Sequence, residues 1–63
     1  MIFLNGEEYQ FKGNLMDLLK IIGLSKDTVA ILVNSEIIKK EDYNFYYVKE
    51  GDYVEVISFV GGG

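Results

Sequence analysis

Tyr53-Val54-Glu55-Val56-Ile57-Ser58-Phe59-Val60-Gly61-Gly62-Gly63 closes the chain. Positions 53–60 form a strand-like run, apolar except at Glu55 and Ser58, that feeds straight into three glycines. A run this apolar must be buried between neighbours, near the middle of a sheet. Glycine has no Cβ and is costly to order, so Gly61, Gly62 and Gly63 read as a thin, sterically open tail up to the α-carboxylate. A partner's narrow cleft could take in such a tail, because no side chain shields its terminal carbonyl carbon. The bland alternative is a frayed end, as is common at the termini of small domains. The expected division is a folded domain at 1–60 and a flexible glycine tail at 61–63.

The stretches before it supply the rest of the sheet and its cover. Met1 to Leu4 is apolar and bulky, and Asn5-Gly6 follows it. That dipeptide is a strong hairpin signal, because a type I′ turn needs positive φ at both central residues. From Glu7 to Phe11 the sequence alternates, with Tyr9 and Phe11 on one face and Glu8 and Gln10 on the other. Asn14 is a good helix N-cap, and Asp17 places an acid near the positive helix end. Leu15, Leu18, Leu19 and Ile22 then fall on one helical face, and Gly23 supplies the stop. A helix of this length is unstable alone in water and must lie on a sheet. Val29 to Val33 reads as a central strand. Asn34-Ser35-Glu36 reads as a turn and Ile37-Ile38 as a short strand. The aromatic cluster Tyr43, Phe45, Tyr46 and Tyr47 is expected to tuck its rings against the sheet edge. Glu50-Gly51-Asp52 makes the last turn.

The order hairpin, helix, strand, short strand, strand predicts an α+β fold, a mixed sheet with one helix across one face. If Ile31, Val33, Val54 and Val56 face the helix, alternation turns Leu32, Ile57 and Phe59 outward. Those three residues are a candidate partner-docking patch, since exposed apolar surface beside the root of the tail is a natural contact site. Against this stands the ordinary tendency of small sheets to leave some apolar surface wet.

Composition narrows the function classes. A chain of 63 residues makes one small domain, marginal in stability without help. It has no Cys and no His, which excludes disulfides and the usual zinc ligand sets; no metal site is expected. Ten acidic against six basic residues give a net charge of −4, which argues against nucleic acid. No apolar run approaches the roughly 20 residues of a membrane helix, and Asn5-Gly6 breaks the apolar start that a signal peptide would need. A cytoplasmic location is the default. Ser25, Ser35 and Ser58 lack an evident activating base, so no catalytic residue is expected. Glu41-Asp42 reads as a solvated turn.

Taken together, Asn5-Gly6, Leu15 with Leu18-Leu19, Val29-Ala30-Ile31 into Val33-Asn34, Glu36-Ile37-Ile38, Gly51-Asp52 with Val54-Glu55-Val56, and Phe59-Val60-Gly61-Gly62-Gly63 resemble a sulfur-carrier family. This is the ubiquitin-like, β-grasp carriers, above all the ThiS type of thiamine-thiazole synthesis. Each piece is weak alone; their joint order spans the whole chain. Three departures from the family pattern are visible. Ser35 stands where Gly usually follows Asn, Lys39-Lys40 replaces a Pro-Arg type of pair, and Glu50 stands for a common Asp.

The resemblance implies a mechanism. A ubiquitin-activating-type adenylyltransferase, using ATP and Mg, would adenylate the carboxylate of Gly63. A sulfur donor, a cysteine desulfurase or a persulfide, would convert it to a thiocarboxylate, which then gives its sulfur to thiazole synthase. Gly61 and Gly62 would thread through each partner. The chain itself would bind no cofactor and act as carrier and co-substrate rather than enzyme. A molybdopterin-type carrier, a tRNA-thiolation or protein-modifier carrier, and a plain β-grasp binding module with an inert tail are the alternatives.

Overall fold

The computed structural model describes residues 1–59. The expected tail at 61–63, and Val60 before it, lie outside the described residues. Five strands and one helix follow in the order β1 (Ile2–Leu4), β2 (Glu7–Tyr9), α1 (Leu15–Ile22), β3 (Val29–Val33), β4 (Glu36–Ile38) and β5 (Tyr53–Ser58), with single 3₁₀ turns at Lys26–Thr28 and Lys40–Asp42. The strands form one mixed sheet in the order β2-β1-β5-β3-β4. The apolar run from Tyr53 is thus the central strand. It pairs in parallel with β1 and antiparallel with β3.

Local chemistry sets these boundaries. In the first hairpin Asn5 and Gly6 have φ of 49° and 88°, the left-handed pair that a type I′ turn requires. The β3–β4 hairpin repeats the geometry with Asn34 at 51° and Ser35 at 74°. Helix α1 starts where Asn14 Oδ1 accepts the backbone N–H of Asp17 at 2.8 Å. It stops at Gly23, φ 80°, where the N–H groups of Gly23 and Leu24 both donate to Leu19 O. Strand β2 is shorter than expected. It ends at Tyr9, and Phe11 instead packs its half-buried ring against the core.

The helix covers one face of the sheet. Leu15, Leu18 and Leu19 meet Ile2, Val29, Ile31, Val33 and Val54, and none of these exceeds 1% exposure. The expectation that Ile31, Val33, Val54 and Val56 face the helix is met, with Val56 half-buried at the margin of the core. The aromatic cluster does not act as a unit, which corrects the expectation of rings tucked at a sheet edge. Tyr43 is a full core residue, 1% exposed, and Tyr46 is half-buried, while Phe45 and Tyr47 stand in solvent at 78% and 63%. The backbone explains the split. This loop crosses the helix N-terminus, where Tyr46 O and Tyr43 O accept the N–H groups of Leu15 and Met16, donors that a helix cannot satisfy internally. The rings consequently alternate toward and away from the core.

Candidate functional site: the open face of the sheet and the strand leading to the tail

Strand β5 carries two sets of side chains. Val54 and Val56 point to the helix; Tyr53, Glu55, Ile57 and Phe59 point to the opposite side, as period-two alternation demands. Register places Ala30 opposite Ile57 and Leu32 opposite Glu55. It places Ile37 beside Leu32 on β4 and Phe3 beside Tyr53 on β1. Leu32 is half-buried, Ile57 is 48% exposed and Phe59 65%. These residues therefore share one open face, and small Ala30 leaves Ile57 uncovered. Ile37, Phe3 and Tyr53 extend that face beyond the three residues singled out from the sequence. Tyr53 was within reach of the same alternation argument. Phe3 was not, because its place depends on a parallel pairing between the two ends of the chain.

Two asparagines hold β5 from opposite sides. Beyond Leu4, where β1 turns away, Asn5 continues its work. The backbone N–H of Asn5 donates to Val54 O at 2.9 Å. Its side chain accepts from Val56 N at 2.8 Å and donates to Val56 O at 3.3 Å. The amide side chain thereby stands in for one residue of a parallel neighbour. On the other side Asn34 N–H donates to Tyr53 O at 2.7 Å. Asn34 Oδ1 accepts from Tyr53 N, and its Nδ2 donates to Asp52 Oδ1, each at 3.0 Å. The last described ladder bond runs from Phe59 N to Thr28 O at 2.8 Å. Pairing thus persists to Phe59, the last described residue.

Between the Asn5-Gly6 and Asn34-Ser35 turns the open face holds a groove of about 620 Å³, lined by Phe3, Tyr53, Glu55 and the residues of the two turns. The Phe3 and Tyr53 rings stack there, centroids 4.7 Å apart. At the margin of the sheet, the phenol of Tyr46 is pushed up by burial and by the carboxylates of Asp52 and Glu36; burial also raises that of Tyr43. Glu50 pairs with the α-amino group of Met1, an exposed contact that contributes little. Ser25 Oγ caps the first 3₁₀ turn, accepting from Asp27 N, and Glu41 and Asp42 are solvated as expected. Among the described residues no group of three or more acidic, His or Cys side chains is placed to hold a metal ion. No helix among them is long and apolar enough to cross a membrane.

A five-stranded mixed sheet with one crossing helix, whose central strand leads to a glycine end, defines the class of ubiquitin-like β-grasp proteins. The ThiS family model matches residues 2–63, and the chain belongs to that family. The sulfur carrier protein ThiS of Bacillus subtilis is 38% identical over 66 residues, covering 100% of both chains. A thiazole synthase of Paramagnetospirillum magneticum is 36% identical over 64 residues; this covers 98% of the present chain but only 20% of the synthase. In three dimensions the chain is similar to the crystal structure of the thiamine biosynthesis protein ThiS from Geobacter metallireducens. The TM-score there is 0.82 at 28% identity, covering 98% of this chain and 97% of that one.

Proposed function

We propose that this chain is the sulfur carrier of thiazole formation in thiamine biosynthesis, with Gly63 as the atom-bearing residue. The observation that carries the reading is the full-length match to the ThiS family, joined to a central strand that leads into Gly61-Gly62-Gly63. A carboxylate is a poor acyl donor, since its leaving group would be oxide. A ubiquitin-activating-type adenylyltransferase therefore uses ATP and Mg: a carboxylate oxygen of Gly63 attacks the α-phosphorus, and pyrophosphate leaves. A persulfide, formed by a cysteine desulfurase or a similar donor, then attacks the acyl carbon and displaces AMP. A thiol cleaves the resulting S–S bond and leaves the terminal thiocarboxylate. That soft nucleophile passes its sulfur to thiazole synthase. Relatives named thiazole synthase, of which this chain covers 20%, support that partner.

The chain's own residues present the group. The helix and inner sheet face hold β5 rigid, the two asparagines fix it from both sides, and glycines at 61–63 leave the acyl carbon unshielded. The open face around Leu32, Ile57 and Phe59 gives each partner an apolar surface to seat on while the tail is in its cleft. The test is incubation with the adenylyltransferase, ATP and a sulfur donor, followed by intact-mass measurement. One terminal oxygen exchanged for sulfur, with pyrophosphate released, is the expected result. No pyrophosphate and an unchanged mass would overturn the reading.

A further inference from the structure

The groove on the open face differs chemically from the apolar patch beside it. The stacked Phe3–Tyr53 pair lines it, and Tyr53 is 58% exposed. Glu55 follows two residues along the same strand, so its carboxylate shares that face, and it lines the groove. Across β1, Glu8 sits in register with Phe3 on the same face. No Lys or Arg lines the groove. Among the described residues the one ion pair is that of Met1 with Glu50, so Glu55 and Glu8 have no cationic partner. An open aromatic face flanked by unpaired carboxylates is complementary to a planar cation. A guanidinium can stack on the ring while its fork of N–H donors engages a carboxylate.

We propose that this groove receives an arginine side chain of thiazole synthase, with Tyr53 as the stacking platform and Glu55 as the counter-ion. The proposal rests on the carrier reading above, and the groove is continuous with the docking face around Ile57. It makes Glu55 and Tyr53 specificity-determining residues, whereas Leu32, Ile57 and Phe59 supply apolar contact. A rim charge of this kind acts strongly on association rate and salt dependence.

The test is calorimetric titration of the intact carrier with thiazole synthase from the same organism, at low and high salt. Glu55→Gln should weaken binding about tenfold at low salt and flatten the salt dependence, with an unchanged melting curve because Glu55 is exposed. Tyr53→Leu should weaken it at both salt concentrations. Phenylglyoxal labelling of synthase arginines should be slowed by the wild-type carrier and not by the Glu55→Gln variant. Wild-type affinity and salt dependence for Glu55→Gln, with Ile57→Asp still impaired, would overturn the arginine groove and leave the carrier reading standing. Weakened binding of Glu55→Gln to the adenylyltransferase alone would overturn the assignment to the synthase. Wild-type synthase binding by both Glu55→Gln and Ile57→Asp would remove the docking face itself.

Discussion

The two faces of the sheet are built from the same kinds of residue and end up in opposite states. On the inner face Ile2, Val29, Ile31, Val33 and Val54 are at most 1% exposed beneath the helix and Tyr43. On the outer face Ile37, Tyr53, Ile57 and Phe59 are 48% to 72% exposed, with no element among the described residues laid over them. Strand β5 contributes to both, alternating residue by residue. Apolar character alone therefore does not make a core; cover does. In so small a domain the inner face carries most of the stability, and the outer face is left free for the docking role proposed above. The contrast predicts that the two faces fail separately under mutation.

The largest effect is expected on the inner face. Leu18 is fully buried between helix and sheet. Its truncation to Ala should cost roughly 2–5 kcal/mol, against a total of about 3–5 kcal/mol for a core of this size. Thermal denaturation of Leu18→Ala should show a domain largely unfolded at room temperature; a transition near that of the wild type would break the comparison. The outer face should behave inversely. Ile57→Asp should reduce affinity for the adenylyltransferase or the synthase at least tenfold, since a charge is set into an apolar contact. Its stability should fall by no more than about 1 kcal/mol, the span of strand preferences at an exposed site. Unfolding of this variant would show that the outer face is structural after all.

The smallest effect concerns the two hairpin turns. Both place their second residue at positive φ, but the first uses Gly6 and the second Ser35. A non-glycine residue pays about 1–2 kcal/mol there, and glycine returns part of this through the freedom of the unfolded chain. Ser35→Gly should therefore raise stability by about 0.5–1 kcal/mol in urea titration. A loss of stability would mean that the Ser35 side chain contributes something the backbone geometry does not reveal. With Ser35 in place of the usual Gly, the structure keeps the type I′ turn and bears the strain.

How much could be read in advance follows from the range of the interactions. The helix limits at Leu15–Ile22 and the strand limits at Val29–Val33 match the sequence reading, because Asn14, Gly23 and Asn34 act within a turn of where they stand. The outward placement of Leu32, Ile57 and Phe59 was also legible, since alternation is a local rule. Tyr43 was not. Its neighbours Phe45, Tyr46 and Tyr47 are equally aromatic, and only the crossing of the helix N-terminus decides which ring enters the core. The aromatic groove was hidden too, because the Phe3–Tyr53 stack depends on pairing two strands nearly fifty residues apart in the chain. The roles of Gly61, Gly62 and Gly63 rest on chemistry and family membership, as these residues lie beyond those the structure describes.

The central claim is that the chain exists to present the carboxylate of Gly63, and deletion of that one residue tests it most directly. Glycine has no side chain to bury, so the melting curve of the truncated chain should match that of the wild type. The new carboxylate, however, falls up to about 3.6 Å short, and a displacement of about 1 Å can already cost a hundredfold in rate. With adenylyltransferase, ATP and sulfur donor present, intact-mass measurement should show the wild-type chain acquiring one sulfur in place of oxygen and the truncated chain acquiring none. A truncated chain that takes up sulfur at the wild-type rate would contradict the claim and reduce the three glycines to an ordinary chain end.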